Sequence, residues 1–179
     1  MNDGLIPNRY AKALYKYSLD MGDTPNVYSE MKRLDEAFDS QPGLKKVVNN
    51  PFLQVDDKLK LLSTAAGATI DGTSARFFEL VIKNNRIDFL RAIGLAFMKQ
   101  YRELNGIARV EVVTATALGD DEIKAIVEVV KGQLENKTIE LSTRVNPDLI
   151  GGFTVDVDSR VLDASIKSQL EKLRLKLLS

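Results

Sequence analysis

The side chains of this chain with the most evident chemistry are carboxylates and lysines. Asp156, Asp158 and Asp163 stand close together near the C-terminus. Two such carboxylates could act as general acid and base if their surroundings pushed their pKa values apart. No apolar pocket or partner group that would do so is identifiable. Asp156-Val157-Asp158 also opens like a calcium loop, but Arg160 and Val161 stand where a third ligand and the turn glycine belong. Asp156 and Asp158 alternate with Val155 and Val157, which fits the outward face of a strand. The chain has no His, Cys or Trp. That removes Cys/His zinc sites, thiol nucleophiles, disulfides and Ser-His-Asp arrangements. It also removes the usual proton shuttle near neutral pH. There is no P-loop, and Gly151-Gly152 lacks the helix and third glycine of a dinucleotide fingerprint. That pair reads as a bulge or a place of close backbone approach. No metal or other cofactor is expected.

The second candidate is basic. Arg160, Lys167, Lys172, Arg174 and Lys176 fall in the last twenty positions against only Asp163 and Glu171. A solvated helix face, a docking helix and a nucleic-acid contact all fit such a run. The 25 basic and 25 acidic residues of the whole chain cancel. A general nucleic-acid binder needs a positive field, so the balance counts against that use. Aromatic stacking platforms are also lacking after position 106, where Phe153 is the only aromatic residue.

These groups sit on a chain of 179 residues, which allows one large domain or two small ones. Up to about Leu104 the apolar spacing is helical. Ile6, Tyr10, Ala13, Leu14, Tyr17 and Met21 define a stripe on a first helix. A second runs from about Thr24, read as the cap ahead of Pro25, to Phe38. A short third covers Leu44 to Val48. A fourth covers about Asp56 to Ala66, with Leu59, Leu62 and Ala66 inward. A fifth runs from about Thr73 to Asn84. A sixth is capped by Asp88 and carried by Phe89, Leu90, Ile93, Phe97, Tyr101 and Leu104. Six short helices with short connections predict a bundle over residues 1–105.

Beyond Gly106 the period changes to two. Val110 and Val112, then Ile139, Leu141 and Val145, then Phe153, Val155 and Val157 predict three strands. A helix from Gly119-Asp120 carries Ile123, Ile126, Val127, Val130 and Leu134. The chain closes with a helix whose Ile166, Leu170, Leu173 and Leu177 form one stripe. That stripe is expected to pack on the sheet through Val110, Val112, Val155 and Val157. Leu175 and Leu178 would then lie near the surface beside Lys172, Arg174 and Lys176. The predicted fold class is α+β, with a small α/β domain of a short sheet and two helices over residues 106–179. No stretch approaches the apolar length of a bilayer span, and the acidic opening does not read as a signal or transit peptide.

Two helices carry an apolar surplus. In the fifth, Ala75, Phe77, Phe78, Leu80, Val81 and Ile82 cover more than one face, so it is either buried all round or lines a groove. In the first, Tyr15 and Leu19 lie off the main stripe.

Three segments then resemble a known family. Pro147-Asp148-Leu149-Ile150-Gly151-Gly152-Phe153, followed by Asp163-Ala164-Ser165, Leu170 and Leu173, is similar to the C-terminal signature of the delta subunit of F-type ATP synthase. The mitochondrial relative is the oligomycin-sensitivity-conferring protein. Arg9-Tyr10-Ala11-Lys12-Ala13-Leu14-Tyr15 is similar to the opening helix of that family, and Asn84-Asn85-Arg86-Ile87 to a third element. Ala164 departs from the usual glycine, Ser18 from a common alanine, and Asp158-Ser159 from a glycine-containing turn.

The resemblance implies a non-catalytic stator subunit that couples rotation to ATP synthesis. It implies that the bundle binds N-terminal helices of the alpha subunits of the catalytic head, and the small domain the b subunits of the peripheral stalk. On that basis Tyr10, Ala13, Leu14, Tyr17, Phe77, Val81 and Asn85 are expected to form or border the alpha-subunit groove. Leu175, Leu178, Lys172 and Arg174 are expected at the stalk. The implied location is the cytoplasmic face of the bacterial inner membrane, reached only through the complex, with no nucleic-acid partner. The alternatives are a small enzyme using Asp156, Asp158 and Asp163, and a nucleic-acid module using the basic tail.

Overall fold

The computed structural model describes residues 4–116, 119, 122, 123, 125, 126, 128, 132, 138–157 and 160–178, with the side chains of residues 160, 177 and 178 outside that description. The chain divides into two compact units, Met1–Tyr101 and Arg102–Ser179.

Six helices build the first unit: α1 (Leu5–Asp20), α2 (Thr24–Ser40), α3 (Pro42–Val48), α4 (Val55–Ala66), α5 (Thr73–Lys83) and α6 (Leu90–Leu104), the last running on past the division. Leu14, Val27, Met31, Leu34, Leu62, Phe78, Val81, Leu90, Ile93 and Phe97 form the heart of their shared core. Helix α5 is central. Thr73, Ser74, Ala75, Phe77, Phe78, Val81 and Ile82 are all buried, and Leu80 alone of its large apolar residues faces out. Most of the surplus on this helix is therefore core.

The inward face of α1 differs from the expected stripe. Pro7, Ala11, Leu14 and Ser18 are buried, whereas Ala13 and Met21 are exposed and Ile6, Tyr10 and Tyr17 are half-buried. Small side chains face inward because they let the neighbouring helices come close. The Ser18 hydroxyl is satisfied by donating to the carbonyl of Tyr15 at 2.9 Å. The tyrosines reach in from the flanks: Tyr10 meets Phe77 and Tyr15 meets Phe97.

Two caps shift as well. Asp23, rather than Thr24, occupies the capping position of α2, and its carboxylate accepts from the Asn26 amide at 2.6 Å. Asp88 lies inside a 3-10 turn, Ile87–Phe89, ahead of α6. From α6, Arg91 donates through Nε to Asp35 at 2.7 Å and through a terminal nitrogen to Asp39, tying the helix to α2. The hydrogen bond with Asp35 raises the guanidinium pKa above its ordinary value. Partly exposed pairs of this kind add about 0–1 kcal/mol.

In the second unit β1 (Ile107–Thr114), β2 (Thr138–Val145), β3 (Phe153–Val157) and β4 (Arg160–Asp163) form one sheet in the order β2-β1-β3-β4. β1 and β2 are parallel, so a crossover must join them. That crossover is helical at Glu122, Ile123, Ala125, Ile126, Glu128 and Gly132. Val127, Val130, Leu134 and the turn at Asp158-Ser159 lie outside the described residues. β1–β3 and β3–β4 are antiparallel, with Val112 opposite Val155 and Val155 opposite Leu162. Val110, Val112 and Val155 are buried, with Ile126, Ile139, Leu141, Phe153 and Val157 around them.

A last helix, α7 (Ile166–Leu178), follows β4. Its stripe does not pack on the sheet as expected. Ile166, Leu170 and Leu173 are 44, 51 and 55% exposed. Among the described residues the sheet core is completed by Ile126 of the crossover instead. The start of α7 packs on the 3-10 turn Pro147–Leu149.

Candidate functional site

In the first unit the structure sorts the candidate groove residues by burial. Leu14 and Val81 are completely buried and Phe77 is nearly so, which makes them core. Tyr10 and Tyr17 are half-buried, and Ala13 is exposed. The rings of Tyr10 and Phe77 meet edge to face, 6.4 Å apart at 71°. The Tyr10 hydroxyl accepts from the amide of Asn84 at 3.1 Å. These contacts join α1 to the end of α5.

Asn85 is exposed at the end of α5. Its φ of 53° is left-handed, which Asn tolerates better than most residues. Asn85 N–H donates to the Ile82 carbonyl at 2.9 Å and Arg86 N–H to that of Val81 at 3.0 Å. These bonds close α5 in a Schellman stop. Sequence reasoning left two further residues out of the groove set. Leu80 is 47% exposed on α5, and Asn84 orients Tyr10. Leu80 is visible as surplus on α5, while the Asn84 contact spans too much sequence to be read.

In the second unit Lys172 and Arg174 are exposed, Leu175 is 68% exposed, and the side chain of Leu178 lies outside the described residues. A turn of 100° per residue puts Leu175 opposite the stripe of Ile166, Leu170 and Leu173. Lys167 and Arg174 flank that stripe on one side, Lys172 and Lys176 on the other. The basic groups therefore form two rows along an apolar strip, which is a poor nucleic-acid patch.

Asp163 sets the start of this helix. Its carboxylate accepts from Ser165 N–H at 2.9 Å, while Ser165 Oγ accepts from Ser168 N–H at 3.2 Å. Ser165 is thereby the N-cap of α7, and Asp163 holds Ser165. The side-chain and backbone hydrogen bonds of Ser165 keep the Asp163 carboxyl below its ordinary pKa. A general acid would need the opposite shift. Asp158 lies outside the described residues, and Asp156 on β3 faces Val161 in register. No group of acidic residues placed to hold a metal occurs among the described residues.

A testable pH effect follows from Asp163. A depressed native pKa means its contribution is whole above the unfolded value, about 3.9, and is lost as pH falls through the native value. The Asp163 carboxyl should titrate by NMR below the usual aspartate range, with α7 losing amide protection over the same interval. Asp163→Asn, which keeps one acceptor oxygen, should remove that pH dependence. A midpoint at the ordinary aspartate value would refute this arrangement.

No helix among the described residues is long and apolar enough to cross a membrane. The chain matches the sequence model of the family described as "ATP synthase delta (OSCP) subunit" over residues 6–177. It is 36% identical over 178 residues to the ATP synthase subunit delta of Parabacteroides distasonis, covering 99% of this chain and 98% of that one. It is 34% identical to the Bacteroides thetaiotaomicron subunit, with 97% and 94% covered. Its fold is similar to a chain of the Toxoplasma gondii mitochondrial ATP synthase hexamer solved by cryo-EM. The TM-score is 0.74 over 97% of each chain, at 18% identity. With the family model matched nearly end to end and relatives above 30% identity covered nearly in full, the chain belongs to the ATP synthase delta (OSCP) subunit family.

Proposed function

We propose that this non-catalytic stator subunit works as a two-ended joint, its helical unit on the alpha subunits of the catalytic head and its α/β unit on the b subunits of the peripheral stalk. The observation that carries this reading is one exposed apolar surface on each of two separately packed units. One comprises exposed Ala13 with half-buried Tyr10 and Tyr17 on α1, together with exposed Leu80 on α5. The other comprises the strip of Ile166, Leu170 and Leu173 on α7, flanked by Lys172 and Arg174, with Leu175 exposed on the opposite face of the helix. A joint under rotor torque needs contacts that resist dissociation, and helix-in-groove packing supplies them. Membrane association is peripheral and indirect. The proposed site of action is the cytoplasmic face of the bacterial inner membrane.

The test is a three-component binding assay with the full chain, purified head and a soluble fragment of the b subunit. The chain should bind each alone and bridge them in one complex. Removing the chain from membranes should leave ATP hydrolysis by the head and abolish ATP-driven proton pumping. Binding of head and b fragment to the same unit, in competition, would overturn the division of labour.

A further inference from the structure

Ile150 has a backbone that its side chain opposes. Its φ is 66° and its ψ −40°, near γ-turn values. A β-branched residue rarely adopts a positive φ, because Cβ crowds the backbone. Folding commonly offsets such strain by burying the side chain, yet Ile150 is 65% exposed. Glycine or asparagine would suit the turn better. An exposed, strained, apolar residue gains nothing evident in the free chain.

Its neighbourhood supplies a use. Ile150 lies between the turn that packs on α7 and Gly151, whose carbonyl accepts from Ile166 N–H at 2.9 Å. The Ile166 side chain leans over Gly151. Ile150 is thus an exposed apolar residue one position from the backbone contact at the N-terminal end of the exposed strip of Ile166, Leu170 and Leu173. On β4, Val161 and Leu162 are also mostly exposed, although alternate residues of a strand point to opposite faces. Charge names the occupant. Lys167 and Arg174 run along one side of the strip, Lys172 and Lys176 along the other, and Glu171 is the only acidic residue on α7.

We propose that Ile150 is a contact residue of this strip, and that the strip takes one amphipathic helix whose apolar face is lined on both sides by Asp and Glu. This rests on the assignment of the second unit to the stalk and adds the chemistry of the helix that binds there. Paired acidic rows would set its register against the two basic rows. A basic amphipathic helix can also lie on an anionic membrane. The protein partner is favoured because Ile150 carries the apolar surface off the helix and onto a turn, where a lipid-bound helix has no need of it.

The experiment uses the full chain and a soluble b-subunit fragment as probe. Ile150→Gly should raise the urea midpoint of the second unit by relieving the turn, and weaken b-fragment binding about tenfold. Ile150→Asn should behave alike. Leu170→Asp, at an exposed position, should abolish binding with the helix content kept. Binding of the parent chain should weaken steeply with salt. If the parent chain binds the fragment but both Ile150 variants bind equally well, the stalk assignment stands and this inference is wrong. Salt-independent binding would likewise refute the acidic rows. If the parent chain ignores the fragment and instead binds phosphatidylserine vesicles, both the stalk assignment and the inference fall.

Discussion

Gly152→Ala will unfold the α/β unit and leave the helical bundle standing. Gly152 has a φ of 76°. Any L-residue there carries a steric cost of about 1–2 kcal/mol. Crowding by neighbouring backbone adds more. A methyl at Gly152 would overlap the carbonyl oxygen of Ala164 and lie 3.2 Å from Ser165 Cα. Both are backbone atoms held by the hydrogen bond from Ala164 N–H to the Phe153 carbonyl at 3.0 Å. Relief would require β3, β4 and the start of α7 to separate. A domain of this size has only about 3–5 kcal/mol in reserve, so the expected loss is of the same order as its whole stability.

Urea unfolding followed by amide exchange should show the second unit exchanging freely while α2 and α5 stay protected. Gly151→Ala is the control. Its methyl would meet the side chain of Ile166, which can rotate away on an exposed helix. Its cost should be distinctly smaller. Equal protection of β3 in the parent and in Gly152→Ala would show that this close approach does not hold the domain together.

That double glycine was legible as a place of close backbone approach, because a Gly pair ahead of an alternating strand has few other uses. What it approaches was not legible, since Ala164 comes near only through the β3–β4 pairing. The helical periods of the first half and the change to alternation after Gly106 were likewise readable from spacing alone. The face of α1 was harder. Hydropathy gives weight to Tyr10 and Tyr17 and little to Ala11 and Ser18, yet close helix packing selects the small residues. The strip of α7 misled in the opposite sense. An apolar stripe says that something covers it, and the nearest sheet was the natural candidate. Here the described sheet core is completed by the crossover at Ile126. Ile150 falls in the segment that carries the family resemblance, but its strained turn was not legible, because an isoleucine gives no physical sign of a positive φ.

The sorting of α1 into core and surface yields a paired prediction for head binding. Leu14 has no exposed surface, whereas its neighbour Ala13 is exposed. Leu14→Ala leaves a cavity among well-packed helices and should cost about 2–5 kcal/mol of stability. Any loss of head binding in that variant should follow the folded fraction and vanish under conditions where the bundle is fully folded. Ala13→Glu should do the reverse. Glutamate keeps the helix well, and the position is open to water, so stability should change by no more than about 0.5 kcal/mol. In the complex the same carboxylate would be driven into an apolar contact with Tyr10, Tyr17 and Leu80 beside it. Burial of an unpaired charge should weaken binding to the alpha subunits by about 2–4 kcal/mol, roughly thirtyfold or more. Calorimetric titration of both variants with purified head would separate the roles. Unchanged affinity for a fully folded Ala13→Glu would move the alpha-subunit contact off the α1–α5 surface altogether.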